Sequence, residues 1–225
     1  VLALALTVAS PGRASAAGVP RSQEIVLLLG THVARRSASE HSPALELVRA
    51  TRPLTDEQTA LPVLAHKTDL RGVRWLRVLL PGRPNGHSGW IEQRATRHAT
   101  TNWRIVVDPA QRRVTVYWRG RALRVFSAVV GKPSTPTPPG QFFVEESIAL
   151  RAGDVGAPYA LALSARSTVF QEFDGGPGQI ALHGLLNVGG TLGTAVSHGC
   201  IRLANDAMRW LAVRIRPGVP VTIET

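Results

Sequence analysis

The chain shows almost no helical periodicity, and this feature restricts the folds it can adopt. Its apolar residues occur in short stretches, and glycine, proline, asparagine and aspartate stand between those stretches. Short apolar runs bounded by turn residues are typical of β-strands. We therefore expect a mainly β protein whose core comes from the faces of sheets.

The amino-terminal half predicts a small barrel of short strands. The expected strands are 44–50, 60–66, 73–82 and 88–93. Between the last two, "PGRPNGHSG" contains the Asn-Gly pair that favours a tight hairpin turn. Short strands at this regular spacing suit a barrel over 44–96. We expect a flexible segment over 17–43 before it and a linker over 97–101 after it.

The carboxyl-terminal half, 102–225, alternates more cleanly and predicts a second domain. Val114, Val116 and Trp118 alternate with polar or amphipathic residues, which indicates a strand with one buried face. One helix is expected near the end, capped by Asn205 or Asp206. Its apolar face consists of Met208, Leu211, Ala212 and Ile215. Pro217-Gly218 ends the helix, and "VPVTIE" predicts a last strand.

The first residues resemble an export signal. Val1 to Ala9 form an apolar stretch too short to span a bilayer, and Ala14-Ser15-Ala16 fits the small-x-small cleavage pattern. We interpret 1–16 as a signal peptide whose basic start is missing; a buried core strand is the alternative. No later segment is apolar enough to cross a membrane, so we expect an exported protein in the cell wall or periplasm.

The chain is strongly basic, with a formal net charge of +11. Such a surface favours polyanions. For an exported chain, anionic cell-wall polymers are the expected partners, and simple solubility is the alternative explanation. No pattern typical of nucleic-acid-binding modules is present, so we expect no nucleic-acid partner.

A single cysteine, Cys200, lies in "TAVSHGCIRLAND". Oxidising surroundings usually pair or eliminate a spare thiol, so a lone cysteine in an exported protein points to chemistry. A thiol with a pKa near ~8.5 is only a few per cent ionised at neutral pH, and an imidazole nearby activates it. Cys200 is the candidate nucleophile.

Two histidines are within plausible reach of the thiol, and their positions differ. His198 is two residues away, where a tight turn would separate the side chains. His183 ends the predicted strand "QIAL" and can come from a neighbouring strand, so we assign it as general base and then acid. The backbone carbonyl of Gly184 is the candidate group that orients its ring. Gly199 permits a sharp turn, so the amides of His198, Gly199 and Cys200 can form an oxyanion hole.

Two other interpretations of these residues remain open. Cys200 could be a small core residue, with both histidines making local hydrogen bonds. His183, His198 and Cys200 are also legitimate zinc ligands, although a compact His-x-Cys pair is an unusual geometry. We expect no metal and no cofactor.

The segment "HGLLNVGGTLGTAVSHGCIRLAND" resembles the signature of the L,D-transpeptidases, the YkuD-type catalytic domain. In that signature a histidine precedes Ser/Thr-His-Gly-Cys after a spacer, and here thirteen residues separate His183 from Ser197. The resemblance covers about residues 102 to 225, with upstream matches in "VVGKPSTPTPPGQFFV" and "APYALALS". Gly184 departs from members that have serine there. The earlier stretch "VRWLRVLLPGRPNGHSGWI" resembles a bacterial SH3-like module.

The resemblance implies a function in wall crosslinking. Cys200 would attack the carbonyl between diaminopimelate and D-alanine of a peptidoglycan stem, form a thioester, and pass the acyl group to an amine of a second stem. Ser197 and His198 would shape the substrate pocket, and Arg202 and Tyr159 would contact substrate. Loop support or a structural salt bridge is the alternative for Arg202, and a plain core position is the alternative for Tyr159. The resemblance also implies acylation by carbapenems, a β-sandwich-like catalytic fold and a monomer. Two alternatives remain: an L,D-carboxypeptidase, in which water takes the acyl group, and a non-catalytic wall-binding protein.

Overall fold

A computed structural model describes residues 18–172 and 176–225, and the predicted signal peptide therefore lies outside the described residues. These parts of the chain contain seventeen strands and one helix, which confirms the mainly β prediction. No helix among them is long and apolar enough to cross a membrane.

The amino-terminal strands form one seven-stranded sheet in the order β3-β2-β6-β5-β4-β1-β7. Every neighbouring pair in it is antiparallel. The strands are β1 Gln23–Leu28, β2 His32–Arg35, β3 Ala44–Val48, β4 Ala60–Thr68, β5 Arg74–Leu79, β6 Ser88–Glu92 and β7 Thr96–Thr101. An SH3-like barrel over 44–96 stays a prediction.

Two expected irregular segments are strands, and those expectations were wrong. Residues 18–43 contain β1 and β2, and the expected linker 97–101 lies within β7. β1 pairs with β7 along its whole length, from Gln23 opposite Thr101 to Leu28 opposite Thr96. The polar sequence "TRHATT" suggested a linker, but threonine favours strands and an edge strand tolerates polar residues.

The remaining strands form an eight-stranded sheet in the order β10-β9-β8-β17-β12-β13-β14-β16, with a short parallel pair, β11 and β15, beside it. The strands are β8 Trp103–Asp108, β9 Arg113–Trp118, β10 Arg121–Ser127, β11 Val130–Gly131, β12 Gly140–Ala149, β13 Tyr159–Arg166, β14 Gln179–His183, β15 Ala195–Ser197, β16 Ile201–Arg202 and β17 Pro220–Ile223.

The helix α1, Asn205–Ala212, packs against this sheet with the predicted apolar face. Met208, Leu211 and Ile215 are fully buried. The predicted cap was wrong: Ala204 occupies the cap position and no side chain caps the helix. The Asn205 side chain instead accepts a hydrogen bond from the Leu185 amide at 2.8 Å, beside the segment that carries His183.

Strand β12 belongs to the packing of both halves of the molecule. Phe142 lies in the core of the eight-stranded sheet, and Phe143 lies in the core of the seven-stranded sheet. Side chains of a strand alternate between its faces, so each face of β12 serves one core. The buried Glu145 pairs with Arg166, 3.0 Å away, and with Arg52 of the amino-terminal half. The two halves thus share a strand and a buried ion pair.

Candidate active site

The parallel pairing of β14 and β16 brings the predicted catalytic residues together. Leu182 lies opposite Ile201, and His183 lies opposite Arg202. Leu182 and Ile201 are fully buried in the core, so the alternation of side chains turns His183 and Arg202 toward the other face. A cavity of about 300 Å³ opens on that face, and Cys200 lines it as well.

The cavity is lined by predicted site residues and by apolar side chains. Its reactive and polar lining includes His183, His198, Cys200, Arg202, Gln179 and Ser167. Its apolar lining comes from Val155, Phe170, Ile180 and Val188. Among the described residues, no aspartate or glutamate lines this cavity, whereas one guanidinium does. The cavity therefore suits a substrate that carries a carboxylate.

The His183 ring is oriented by the backbone carbonyl of the next residue, Gly184. Nδ1 lies 2.8 Å from the carbonyl oxygen of Gly184, which is the hydrogen bond expected for that carbonyl. A carbonyl only accepts, so Nδ1 carries the proton and Nε2 presents a lone pair. Burial lowers the pKa of His183, and the positive charge of Arg202 lowers it further, while the Gly184 bond raises it. The imidazole is therefore neutral at neutral pH and able to accept a proton.

Gly156 packs directly against the imidazole, and it was not among the predicted site residues. A Cβ at this position would collide with the His183 ring, and the backbone has φ +83°. The Gly156 amide donates to Leu186 O at 2.8 Å, and its carbonyl accepts from Gly184 N at 2.7 Å. These bonds fix the glycine against the ring. The only sequence signal was a glycine in the turn-rich "GDVGAPY".

Gly184 has no space for a side chain in this protein. A Cβ there would collide with the carbonyl of Ala157 and lie 2.8 Å from Oδ1 of Asn205. Some family members have serine at this position, but the packing around Gly184 in this protein leaves no room for a serine side chain. Because only the carbonyl of Gly184 contacts the imidazole, the missing hydroxyl does not affect that hydrogen bond.

The Cys200 thiol is partly buried beside Gln179, the first residue of β14. Its Sγ–H donates to the carbonyl of Gln179 at a sulfur–oxygen distance of 3.9 Å. Burial raises the pKa of the thiol, while a hydrogen bond from the Ala181 amide and the charge of Arg202 lower it. The thiol is therefore protonated at neutral pH in the free protein, and a base is required to generate the nucleophile.

Ser197 supports the cysteine loop from inside the protein. Its side chain is fully buried, its Oγ donates to Cys200 O at 2.6 Å, and it accepts from Gly199 N at 3.2 Å. The prediction that Ser197 contacts substrate was wrong. The turn at Gly199, with φ +118°, closes the loop over the serine and leaves it without access to the cavity.

The proline-rich segment before β12 holds the same loop from a second side. The buried Thr137 Oγ1 donates to Gly199 O at 2.9 Å and accepts from Gly131 N at 2.9 Å. The buried Thr135 Oγ1 donates to Ser197 O at 3.2 Å. Sequence reasoning missed both residues, although the hydroxyls in "PSTPTPP" were the available signal.

The oxyanion hole stays a prediction, with one change in its donors. The Gly199 amide donates to Ser197 Oγ, so in this structure that N–H is directed at the protein. The amides of Cys200 and His198 are then the candidate donors, and Gly199 contributes the turn that orients them. His198 is exposed, lines the cavity, and has its ring centroid 6.0 Å from that of Phe170.

Arg202 and Tyr159 occupy different environments. Arg202 lines the cavity and its Nη1 donates to the carbonyl of Gly189, so it supports the neighbouring loop while facing the site. Tyr159 is partly buried and does not line the cavity in this structure, and a substrate contact by Tyr159 stays a prediction. In β13, Tyr159 shares a face with Leu161 and Leu163 and packs on the same core.

No group of three histidine, cysteine, aspartate or glutamate side chains in residues 18–172 and 176–225 is placed to hold a metal ion.

The fold and the cavity define a mainly β protein with a cysteine–histidine site suited to acyl transfer. The L,D-transpeptidase catalytic domain (YkuD) model matches residues 102–223, more than half of the sequence, and the chain belongs to that family.

Relatives of this family are recognisable at moderate identity. The YkuD protein of Bacillus licheniformis is 32% identical over 124 residues, which cover 55% of this chain and 67% of the relative. L,D-transpeptidase 1 of Mycobacterium tuberculosis is 25% identical over 193 residues, covering 69% of this chain and 74% of the relative. A solved L,D-transpeptidase from Mycobacterium smegmatis has 18% identity and a TM-score of 0.43, and the match covers 73% of this chain and 99% of that one.

Proposed function

We propose that the protein is a peptidoglycan L,D-transpeptidase that works through a thioester on Cys200. The observation that carries the proposal is the shared cavity in which Cys200, a neutral His183 and the cation of Arg202 meet. These groups supply a nucleophile, a proton acceptor and a partner for an anionic substrate. Family membership supplies the reaction class of a cysteine-dependent acyltransferase.

In the first half-reaction, the thiol proton of Cys200 moves to Nε2 of His183. Sγ forms a bond to the carbonyl carbon that links diaminopimelate to the terminal D-alanine of a stem. The carbon–nitrogen bond then breaks, and the departing amine takes the proton from His183. Free D-alanine leaves, and the rest of the stem remains on Cys200 as a thioester. Rotation of the thiol away from Gln179 O brings the proton toward the base.

In the second half-reaction, an amine of another stem attacks the thioester carbon. His183 removes a proton from this amine and returns it to the sulfur when the carbon–sulfur bond breaks. The product is an amide between two diaminopimelate residues, and the enzyme regains its starting protonation. The amides of His198 and Cys200 would donate hydrogen bonds to the developing oxyanion in both steps.

Intact-protein mass spectrometry tests this assignment. We expect wild-type protein to gain one adduct with a carbapenem, and Cys200→Ala to gain none. With a purified tetrapeptide muropeptide as sole substrate, we expect a crosslinked dimer and free D-alanine. Tripeptide without dimer would identify an L,D-carboxypeptidase. A folded wild-type protein with neither adduct nor product would contradict the enzymatic function and favour a wall-binding role.

The basic face of the catalytic half supports a second proposal, the attachment to anionic wall polymers. No acidic residue occurs between Asp108 and Glu145. Arg119, in the turn between β9 and β10, and Arg121 and Arg124 on β10 are exposed, and within the described ranges no carboxylate lies within ion-pair distance of them. Trp210 contacts two guanidiniums at 4.9 and 4.5 Å from its ring. Such a surface suits phosphate- or carboxylate-bearing polymers.

Cosedimentation with purified cell walls tests this attachment. The triple change of Arg119, Arg121 and Arg124 to glutamine is expected to weaken binding, because it removes three charges from one face. A triple change of the exposed Arg36, Arg49 and Arg74 on the other half is the control of equal charge. Equal loss in both variants would indicate an effect of net charge alone. Walls stripped of anionic polymer are expected to bind the wild-type protein and the Arg119, Arg121 and Arg124 variant equally weakly.

We further propose that the protein is exported and acts as a monomer in the cell wall or periplasm. The apolar start and Ala14-Ser15-Ala16 support export, and a wall substrate requires it. Sequencing of the mature protein is expected to find Ala17 at the amino terminus. A mature protein that retains residues 1–16 would contradict cleavage.

A further inference from the structure

One wall of the active-site cavity comes from the loop between β13 and β14, of which residues 167–172 and 176–178 are described. Ser167 and Phe170 of this loop line the cavity, and Gly178, just before β14, lines it beside them. Ser167 Oγ accepts from the amides of Val169 at 3.2 Å and Phe170 at 3.0 Å. The Ser167 amide donates to Gly178 O at 2.7 Å, which closes the base of the loop.

The amino-terminal sheet reaches this loop through one arginine. Arg83 lies in the connection between β5 and β6, and its Nη2 donates to Ser167 O at 2.9 Å and to Phe170 O at 2.7 Å. Its Nη1 donates to Pro177 O at 2.9 Å. One side chain thus bridges both ends of the loop without lining the cavity itself.

The three hydrogen bonds of Arg83 require a guanidinium, and they require the backbone at Gly178 to approach it closely. A guanidinium presents several donors in a fixed plane, whereas an ammonium is a single point donor. Gly178 has φ +64°, and a Cβ there would lie 3.2 Å from Arg83 Nη2 and would collide with Phe170 O. Glycine at 178 therefore lets the arginine and the loop meet.

The neighbouring contacts show that Arg83 is part of a fixed junction. Asn85 Nδ2 donates to Arg166 O at 2.7 Å, and Asn85 Oδ1 accepts from Arg166 N at 2.8 Å. The Gly82 amide donates to Ser164 O at 3.1 Å. Residues 82–85 thus run along the end of β13, and Arg83 extends from that junction toward the cavity wall.

We propose that Arg83 is a positioning residue for the substrate, by which the amino-terminal sheet sets the Phe170 wall of the active site. The inference rests on the proposed function and adds a role for the amino-terminal half in binding the stem peptide. Arg83 acts through the loop, so its removal changes substrate binding and leaves the Cys200–His183 pair intact. A misplacement of about 1 Å can cost up to ~10²-fold in activity, and we expect at least a tenfold effect here.

The experiment measures kcat and KM for a defined tetrapeptide stem, together with the pH profile of Cys200 alkylation by iodoacetamide. For Arg83→Gln we expect KM to rise roughly tenfold or more. The alkylation profile should not change, because iodoacetamide is small and does not need the wall. Arg83→Lys should recover part of the loss. Arg77→Gln, a change of an exposed arginine of β5 whose side chain donates to Ser88, should match wild type.

Two further comparisons keep the outcome decisive. Asn85→Ala removes the two junction hydrogen bonds to Arg166 but leaves the three carbonyl bonds of Arg83, so its KM should rise clearly less than that of Arg83→Gln. An equal KM rise in Asn85→Ala, or a wild-type KM in folded Arg83→Gln, would overturn the inference. If Arg83→Gln does not fold, Arg83→Lys replaces it in the test: its KM should exceed the wild-type value, and a wild-type KM in folded Arg83→Lys would overturn the inference. Wild-type protein without turnover contradicts the proposed function instead, so the two failures are distinguishable.

Discussion

The two walls of the active-site cavity are built in different ways. The cysteine wall, residues 197–200, is held by buried hydroxyls of the same domain, among them Ser197, Thr135 and Thr137. The facing wall, residues 167–170, is held by Arg83 of the other sheet. The cysteine wall is supported by buried groups of its own half, whereas the facing wall depends on the neighbouring half. Changes in the two walls should therefore affect different kinetic constants.

The largest effect is expected from His183→Ala. Loss of the general base should slow acylation of Cys200 by ~10²- to 10⁴-fold, because burial raises the thiol pKa and His183 is the proposed proton acceptor. The rate of carbapenem adduct formation measures this effect. His198→Ala, an exposed histidine of the same cavity, is the control and should retain most activity. Equal loss in both variants would mean that the base is misassigned.

Gly156→Ala should reduce acylation next most strongly, by roughly 10²-fold, because a methyl group displaces the His183 ring. The φ of +83° adds backbone strain, so the melting temperature should also fall. Gly153→Ala is the control, since a Cβ there would meet no atom within 4 Å. A folded Gly156→Ala protein with wild-type acylation would show that the imidazole position tolerates this displacement.

Phe170→Ala tests the facing wall directly. An aromatic contact is worth about 0.5–1.5 kcal/mol, so KM for a tetrapeptide stem should rise roughly 2- to 10-fold while iodoacetamide alkylation is unchanged. Val169→Ala, an exposed neighbour, should have no effect. A loss of alkylation in Phe170→Ala would show that the two walls are not separable.

In the free enzyme, Arg202→Gln should give the smallest effect on Cys200 alkylation, a change in its pH dependence. The guanidinium lowers the pKa of the Cys200 thiol, so its removal should move that pKa upward. Less thiolate is then present at any pH below the pKa, and alkylation at neutral pH should slow. The pH profile of alkylation measures the shift, with the exposed Arg209→Gln as control. A shift toward lower pH would contradict the electrostatic role.

The strands and the catalytic pair of the carboxyl-terminal half could be predicted from the sequence, because the patterns that indicate them are local. Alternation fixed the strands from 102 onward, and the spacing of His183 and Cys200 agreed with neighbouring strands. The internal contacts of Ser197 and the core packing of the partly buried Tyr159 could not be decided from the sequence, because the direction of a side chain depends on the turn at Gly199 and on the register of β13. Arg83 could not be found, because its partners lie more than eighty residues away in sequence.

Strand β7 was missed for a related reason. Its polar residues are acceptable because β7 stands at a sheet edge, and edge position is a property of the assembled sheet.

The placement of Phe142 and Phe143 on opposite faces of β12 has a consequence for how the chain unfolds. Separating the halves at residue 101 would expose Phe143 and leave the carboxylate of Glu145 without Arg52. Neither half has a complete interior alone. Calorimetry of the intact chain should therefore show one joint melting event, and a fragment that begins at residue 102 should melt at a lower temperature or fail to fold.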